Sequence, residues 1–135
     1  MDLSKFKPYN FVPGIASATI AKHGIGFSKK AISELGNPDY VKLLMNTTDK
    51  QLALIVASKG EEGAIKCMEG RSPNENRNFR IGAKDLLHQV AFMMDCAFEE
   101  LNYRVIGEYF NDNQVMLIDL NRAKKIGEIV ENEDE

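Results

Sequence analysis

Nowhere in the 135-residue chain do apolar residues run uninterrupted for anything near the roughly 18 positions a membrane-spanning helix needs, so no membrane insertion is expected. Targeting signals are equally scarce. The opening MDLSKFKPYNFVPG has two lysines but neither an apolar core nor a small-residue cleavage site, which argues against a signal or transit peptide and makes the cytoplasm the expected compartment. Cys67 and Cys96 stand 29 positions apart with no CxxC and no neighbouring histidine pair, so neither a disulfide framework nor a zinc site is expected. His23 and His88 are the only side chains that ordinarily exchange protons near neutral pH, and neither sits in a nucleophile or metal motif. His23 precedes a glycine, and His88 falls on the polar side of a helical stretch one turn after Lys84, so both should be solvated. GxSxG, HExxH and Walker patterns are missing, and Gly24-x-Gly26 lacks the third glycine and the βαβ setting of a dinucleotide site. Asp95, Glu99 and Glu100 crowd the end of a helical stretch without a partner placed across a substrate. A non-enzymatic protein with no cofactor and no metal is the expectation.

Apolar residues at 44% and charged residues at 27% are globular proportions, and a chain of this length buries about two-thirds of its unfolded surface, enough for one core. Charge is uneven. Residues 1–84 carry 13 Lys/Arg against 8 Asp/Glu, and residues 85–135 carry 4 against 12, so the chain runs from +5 to −8. Five of those acids, Glu128, Glu131, Glu133, Asp134 and Glu135, fall in a terminal segment too polar to offset its ordering entropy, and residues 128–135 should be a disordered tail. Without them the balance is 17 basic to 15 acidic, close to neutral.

An internal repeat orders the rest. Ser17–Ala21 has the composition of a strand, Gly24-Ile25-Gly26 that of a turn, and Ser28 can cap a two-turn helix that Gly36 and Pro38 end. Tyr40–Met45 and Gln51–Ala57, separated by Asn46-Thr47-Thr48-Asp49-Lys50, predict a β-hairpin. The order returns with a strand at Asn78–Ile81, a helix from about Ala83, and a hairpin of Tyr103–Tyr109 with Gln114–Leu120. The second helix shows apolar residues at helical spacing through Leu86, Leu87, Val90, Ala91, Met94, Ala97, Phe98 and Leu101. Matching QLALI to QVMLI superposes the hairpins at an offset of 63, whereas Phe27 and Ile81, each just before a helix, are 54 apart. The expected fold is therefore α+β: two pseudo-symmetric βαββ halves, about 15–57 and 76–120, sharing one core, with antiparallel sheets and one short and one long helix. Residues 58–75 should be a linker within a single domain of 1–127. The expected core is Leu43, Leu52, Leu54, Val56, Leu86, Val90, Met94, Phe98, Val105, Leu117 and Ile118.

Residues 18–57 resemble the swapped-hairpin DNA-binding module of AbrB/MraZ-type transition-state regulators and antitoxins. Gly24 stands at the turn, Phe27-Ser28-Lys29 in place of the family's Ile-Pro-Lys, Leu35-Gly36 at the helix exit, and Tyr40–Val56 as the hairpin. The second half looks like a degenerate copy, as in the two-module MraZ arrangement. Two positions depart from the pattern: the basic residue after the turn glycine is Ile25, and the arginine inside the helix is Ile32 or Ser33, so the resemblance implies the fold without those two contacts. The chain also looks like short uncharacterised proteins of Gram-positive bacteria and their mobile elements.

Two functions are expected from these features. In the first, a DNA-binding transcriptional regulator acting as a homodimer holds phosphates of double-stranded DNA through Lys22, Lys29 and Lys30 and their topological counterparts Arg77, Arg80 and Lys84, with the acidic tail competing for the same face. The alternative is a non-enzymatic protein-interaction or assembly module using exposed strand edges or a docked arm at Tyr9-Asn10-Phe11-Val12-Pro13.

Overall fold

Ser17–Ala21 forms the first strand, β1, as its composition predicts. The chain reverses over Lys22 and His23 into β2 (Gly24–Phe27), so Gly24-Ile25-Gly26, expected as the turn, is strand. Ile25 and Phe27 point into the core from β2, which leaves the two glycines on its other face. The computed structural model describes residues 1–6, 14–67 and 79–126. The arm at Tyr9–Pro13, Arg77 and the tail 128–135 lie outside them.

Helix α1 (Lys29–Glu34) begins and ends where local chemistry dictates. The Ser28 hydroxyl accepts from the Ala31 N–H at 3.2 Å, and it also accepts from the Ser17 N–H at 3.0 Å, tying the helix start to β1. Gly36, at φ +88°, turns the chain out of the helix while its N–H donates to Ser33 and that of Asn37 to Ile32. Strands β3 (Tyr40–Asn46) and β4 (Gln51–Val56) form the expected hairpin, closed with Lys50 in the left-handed region. Part of the segment expected to be a linker is ordered sheet: β5 (Ile65–Lys66) pairs with β3, and Cys67 beside it is buried, its N–H bonded to the Asp39 carbonyl.

In the second half β6 (Phe79–Ile81) leads to α2 (Lys84–Met93), which stops well short of the periodic apolar run. Asp95 adopts φ +56°, its N–H donates to Phe92 and that of Cys96 to Ala91, so a reverse turn replaces further helix. Phe98 lies in a separate 3-10 turn, Phe98–Glu100, and Leu101 just after it; both reach the core from outside the helix. The strand expected at Tyr103–Tyr109 is two strands, β7 (Asn102–Ile106) and β8 (Glu108–Phe110). Gly107 makes the corner: its N–H donates to Ala16, and a Cβ there would stand 2.8 Å from the Met116 sulfur. Strands β9 (Val115–Asp119) and β10 (Lys124–Lys125) follow.

Among the described residues the result is an α+β fold with two pseudo-symmetric five-stranded antiparallel sheets and the two helices α1 and α2, one of six residues and one of ten. The first sheet has the order β10-β7-β1-β2-β6 and the second β5-β3-β4-β9-β8, so each is built from both halves. One buried cluster joins Ile20, Phe27, Leu52 and Leu54 of the first half to Val90, Val105, Met116 and Ile118 of the second. Among the described residues no helix is long and apolar enough to cross a membrane.

The register locates the pseudo-symmetry. In the first sheet Gly26 pairs with Arg80, 54 positions on, the offset already evident between Phe27 and Ile81. In the second, Ala53 pairs with Leu117, and Lys50 and Gln114 share the same left-handed conformation, both offsets being 64 rather than 63. One residue matters because side chains alternate between faces. Leu52 and Leu54 correspond to Met116 and Ile118, all fully buried, while Leu117 turns outward and leaves the expected core. Val56, at a strand end, is 40% exposed, and Leu43, Leu86, Met94 and Phe98 are only partly buried against the cluster.

Candidate nucleic-acid interface

Every residue of the first sheet that enters the core is apolar, and the alternate residues form its other face. Reading across the strands in register, that face carries Lys124, Arg104, Thr19, Gly26 and Arg80 in a single row. The neighbouring outward positions on β1 and β2 are Ser17, Ala21 and Gly24, so the middle of the face is floored by small side chains. No Asp or Glu occurs in any of its five strands.

Arg80 lies across the glycines. A Cβ built on Gly24 would be 3.0 Å from Arg80 Cγ, and one on Gly26 would be 3.8 Å from a guanidinium nitrogen, so the absent side chains make the trough in which this arginine rests. Lys22 lies exposed in the β1–β2 turn. That turn abuts the start of α2, since the His23 carbonyl is 3.2 Å from where a Cβ on Gly82 would stand, and Lys84 opens the helix there. Lys22, Arg80 and Lys84 thus share one end and edge of the sheet. Lys29 and Lys30 belong to α1, which leaves β2 at the opposite end. Arg104 and Lys124 were not among the residues selected from the sequence; the alternation in Tyr103-Arg104-Val105-Ile106 was the available signal.

Elsewhere the polar groups are arranged more sparsely. An open cleft of about 530 Å³ is lined by Thr47, Lys50, His88, Gln89, Phe92, Met93 and Asp95. Across it Lys50 and Asp95 form an ion pair at 3.3 Å, and the exposed His88 ring stacks on Phe98 with centroids 4.2 Å apart. Burial, reinforced by the charge of Glu100, pushes the Cys96 thiol above its ordinary pKa, which disfavours the reactive thiolate. Cys67 is buried and Cys96 half-buried, and among the described residues no group of three His, Cys, Asp or Glu is placed to hold a metal ion. No protein-family model matches the chain, and no curated protein or solved structure matches it.

Proposed function

We propose that the outward face of the first sheet binds the phosphate backbone of double-stranded DNA and that the chain is a DNA-binding regulator. The row of Lys124, Arg104 and Arg80, with no acid in the strands that carry it, is the observation that supports this most directly. Strands β6 and β7 are three strand spacings apart, roughly 14 Å, and Arg80 leans from β6 across Gly24 and Gly26 towards β7, so its guanidinium stands nearer to Arg104 than the strands themselves do. Thr19 between them is short, so both cations can meet phosphates. Lys22 and Lys84 extend the positive margin at one end. The order strand, turn, strand, short helix, Leu35-Gly36 exit and hairpin is also the one implied by the AbrB/MraZ resemblance, which favours a regulator over other DNA-binding roles.

Electrophoretic mobility shift of the full chain on mixed-sequence duplexes tests it. With about five phosphates neutralised, log affinity should fall against log salt with a slope of about −4 to −5. Changing Arg80, Arg104 and Lys124 together to Gln should abolish the shift at salt concentrations where the parent binds. No retardation of any duplex at low salt, or binding indifferent to that triple substitution, overturns the proposal.

A further inference from the structure

The cations on the outward face of the first sheet have no acid to answer them. Lys124, Arg104 and Arg80 share one row, and among the described residues none of the three forms an ion pair; the ion pairs that do form, Lys42 with Glu61 and Lys50 with Asp95, lie elsewhere. Like charges held in a row repel one another, and a run of opposite charge laid along them relieves that repulsion. The chain itself carries such a run. After β10 ends at Lys125, residues 126–135 read IGEIVENEDE, with five acids and no lysine or arginine.

We infer that Glu128, Glu131, Glu133, Asp134 and Glu135 dock on this face of their own chain and compete there with other polyanions. The contact rests on the charge of the face alone; its consequence for duplex binding rests on the function proposed above. Position is the first ground. Lys125 lies opposite Tyr103, and Tyr103 opposite Ile20, so the chain leaves β10 at the end of the sheet where Lys22 follows β1 and Lys84 follows β6. Reach is the second. From β10 to β6 is four strand spacings, roughly 19 Å, and extended chain advances about 3.3 Å per residue, so Glu131, six residues beyond Lys125, can stand over β6. Glu128 then falls near Lys124 and Arg104, and Glu133, Asp134 and Glu135 near Arg80 and Lys84. The third ground is the lack of an equal elsewhere: the outward face of the second sheet carries Glu108 and Asp119, and its Lys42 is already paired. So short a tether holds the acids at a local concentration in the millimolar range, which favours a chain's own tail over that of a neighbour at micromolar protein. The bonds are exposed ion pairs, individually weak and screened by salt, so the denser charge of a duplex displaces them.

Proton–nitrogen correlation spectra of the isotope-labelled full chain, without nucleic acid, read the contact. The comparison is with the full chain carrying Glu128→Gln, Glu131→Gln, Glu133→Gln, Asp134→Asn and Glu135→Gln. At about 20 mM salt the two should differ at Thr19, Arg80 and Arg104, far in sequence from the substitutions, and they should coincide there at about 500 mM, where the screening length is roughly 4 Å. The differences should be equal at about 50 and about 500 µM protein, as a contact within one chain requires. In a mobility shift at about 50 mM salt the neutral-tail variant should bind duplex about 3–10-fold more tightly than the parent, as follows if the tail occupies the face about 70–90% of the time. Spectra that coincide at Thr19, Arg80 and Arg104 at low salt overturn the inference. So do differences that grow with protein concentration, which assign the contact to a neighbouring molecule, and equal duplex affinities in the presence of the spectral differences, which remove the competition. Spectra that differ as expected while neither protein retards a duplex uphold the tail contact and refute the function proposed above.

Discussion

At φ +151°, with the Ile81 carbonyl oxygen 2.9 Å from where its Cβ would stand, Gly24 is confined to glycine by both backbone and neighbour. The neighbour is main chain of the adjacent strand and cannot rotate away, unlike the Met116 side chain opposite Gly107. Gly24→Ala should therefore cost about 1–3 kcal/mol, read as a lower midpoint in urea unfolding, and it should also displace Arg80 from its trough. Ser28 works through hydrogen bonds instead. Its hydroxyl accepts from Ala31 and Ser17 and donates to the Ile15 carbonyl, so Ser28→Ala removes the helix cap and a link to β1 together. A loss of about 1–2 kcal/mol is expected by the same measurement, and an unchanged midpoint would show that water replaces all three bonds without cost.

At the scale of the element, register is the decisive quantity. The likeness of QLALI and QVMLI suggests one alignment of the hairpins, and the four-residue loops ending at Lys50 and Gln114 impose another, one residue away. Met116 is fully buried and Leu117 faces outward. Met116→Asp should leave the chain unfolded by circular dichroism, because an unpaired buried carboxylate costs several kcal/mol against a total stability of about 5–15. Leu117→Asp should fold. The reverse result would restore the alignment suggested by sequence identity. The same logic lowers the weight of Met94, a half-buried residue at the end of α2, beneath that of Met93 and Val90, which face the core.

Across the whole molecule the two outward faces divide the chemistry. The outward face of the first sheet carries Arg80, Arg104 and Lys124 and no acid, whereas that of the second carries Lys42, Lys66, Glu108 and Asp119. The +5 and −8 halves of the sequence do not survive as halves of the structure, since each sheet draws strands from both. If the first sheet meets phosphates, Arg104→Gln alone should make the salt slope less negative by about 1 and weaken binding to unrelated duplexes equally. Titration of the variant over a salt series distinguishes this from simple loss of fold, which would abolish binding at every salt concentration.

Sequence alone determined what a few neighbouring residues can decide. Ser28, Gly36 and Pro38 bound α1, the polar loop after Asn46 makes the first hairpin, and two βαββ patterns announce the repeat, because caps and turns are satisfied within one stretch of chain. Lys22, Arg80 and Lys84 were legible as cations beside strand ends. Tertiary structure decided the rest: the early end of α2 at Asp95, the corner at Gly107, the offset of 64, and the row that brings Arg104 and Lys124 beside Arg80. Those features depend on which distant strand lies alongside. The period of two makes the face of each side chain hang on a register that no local segment specifies.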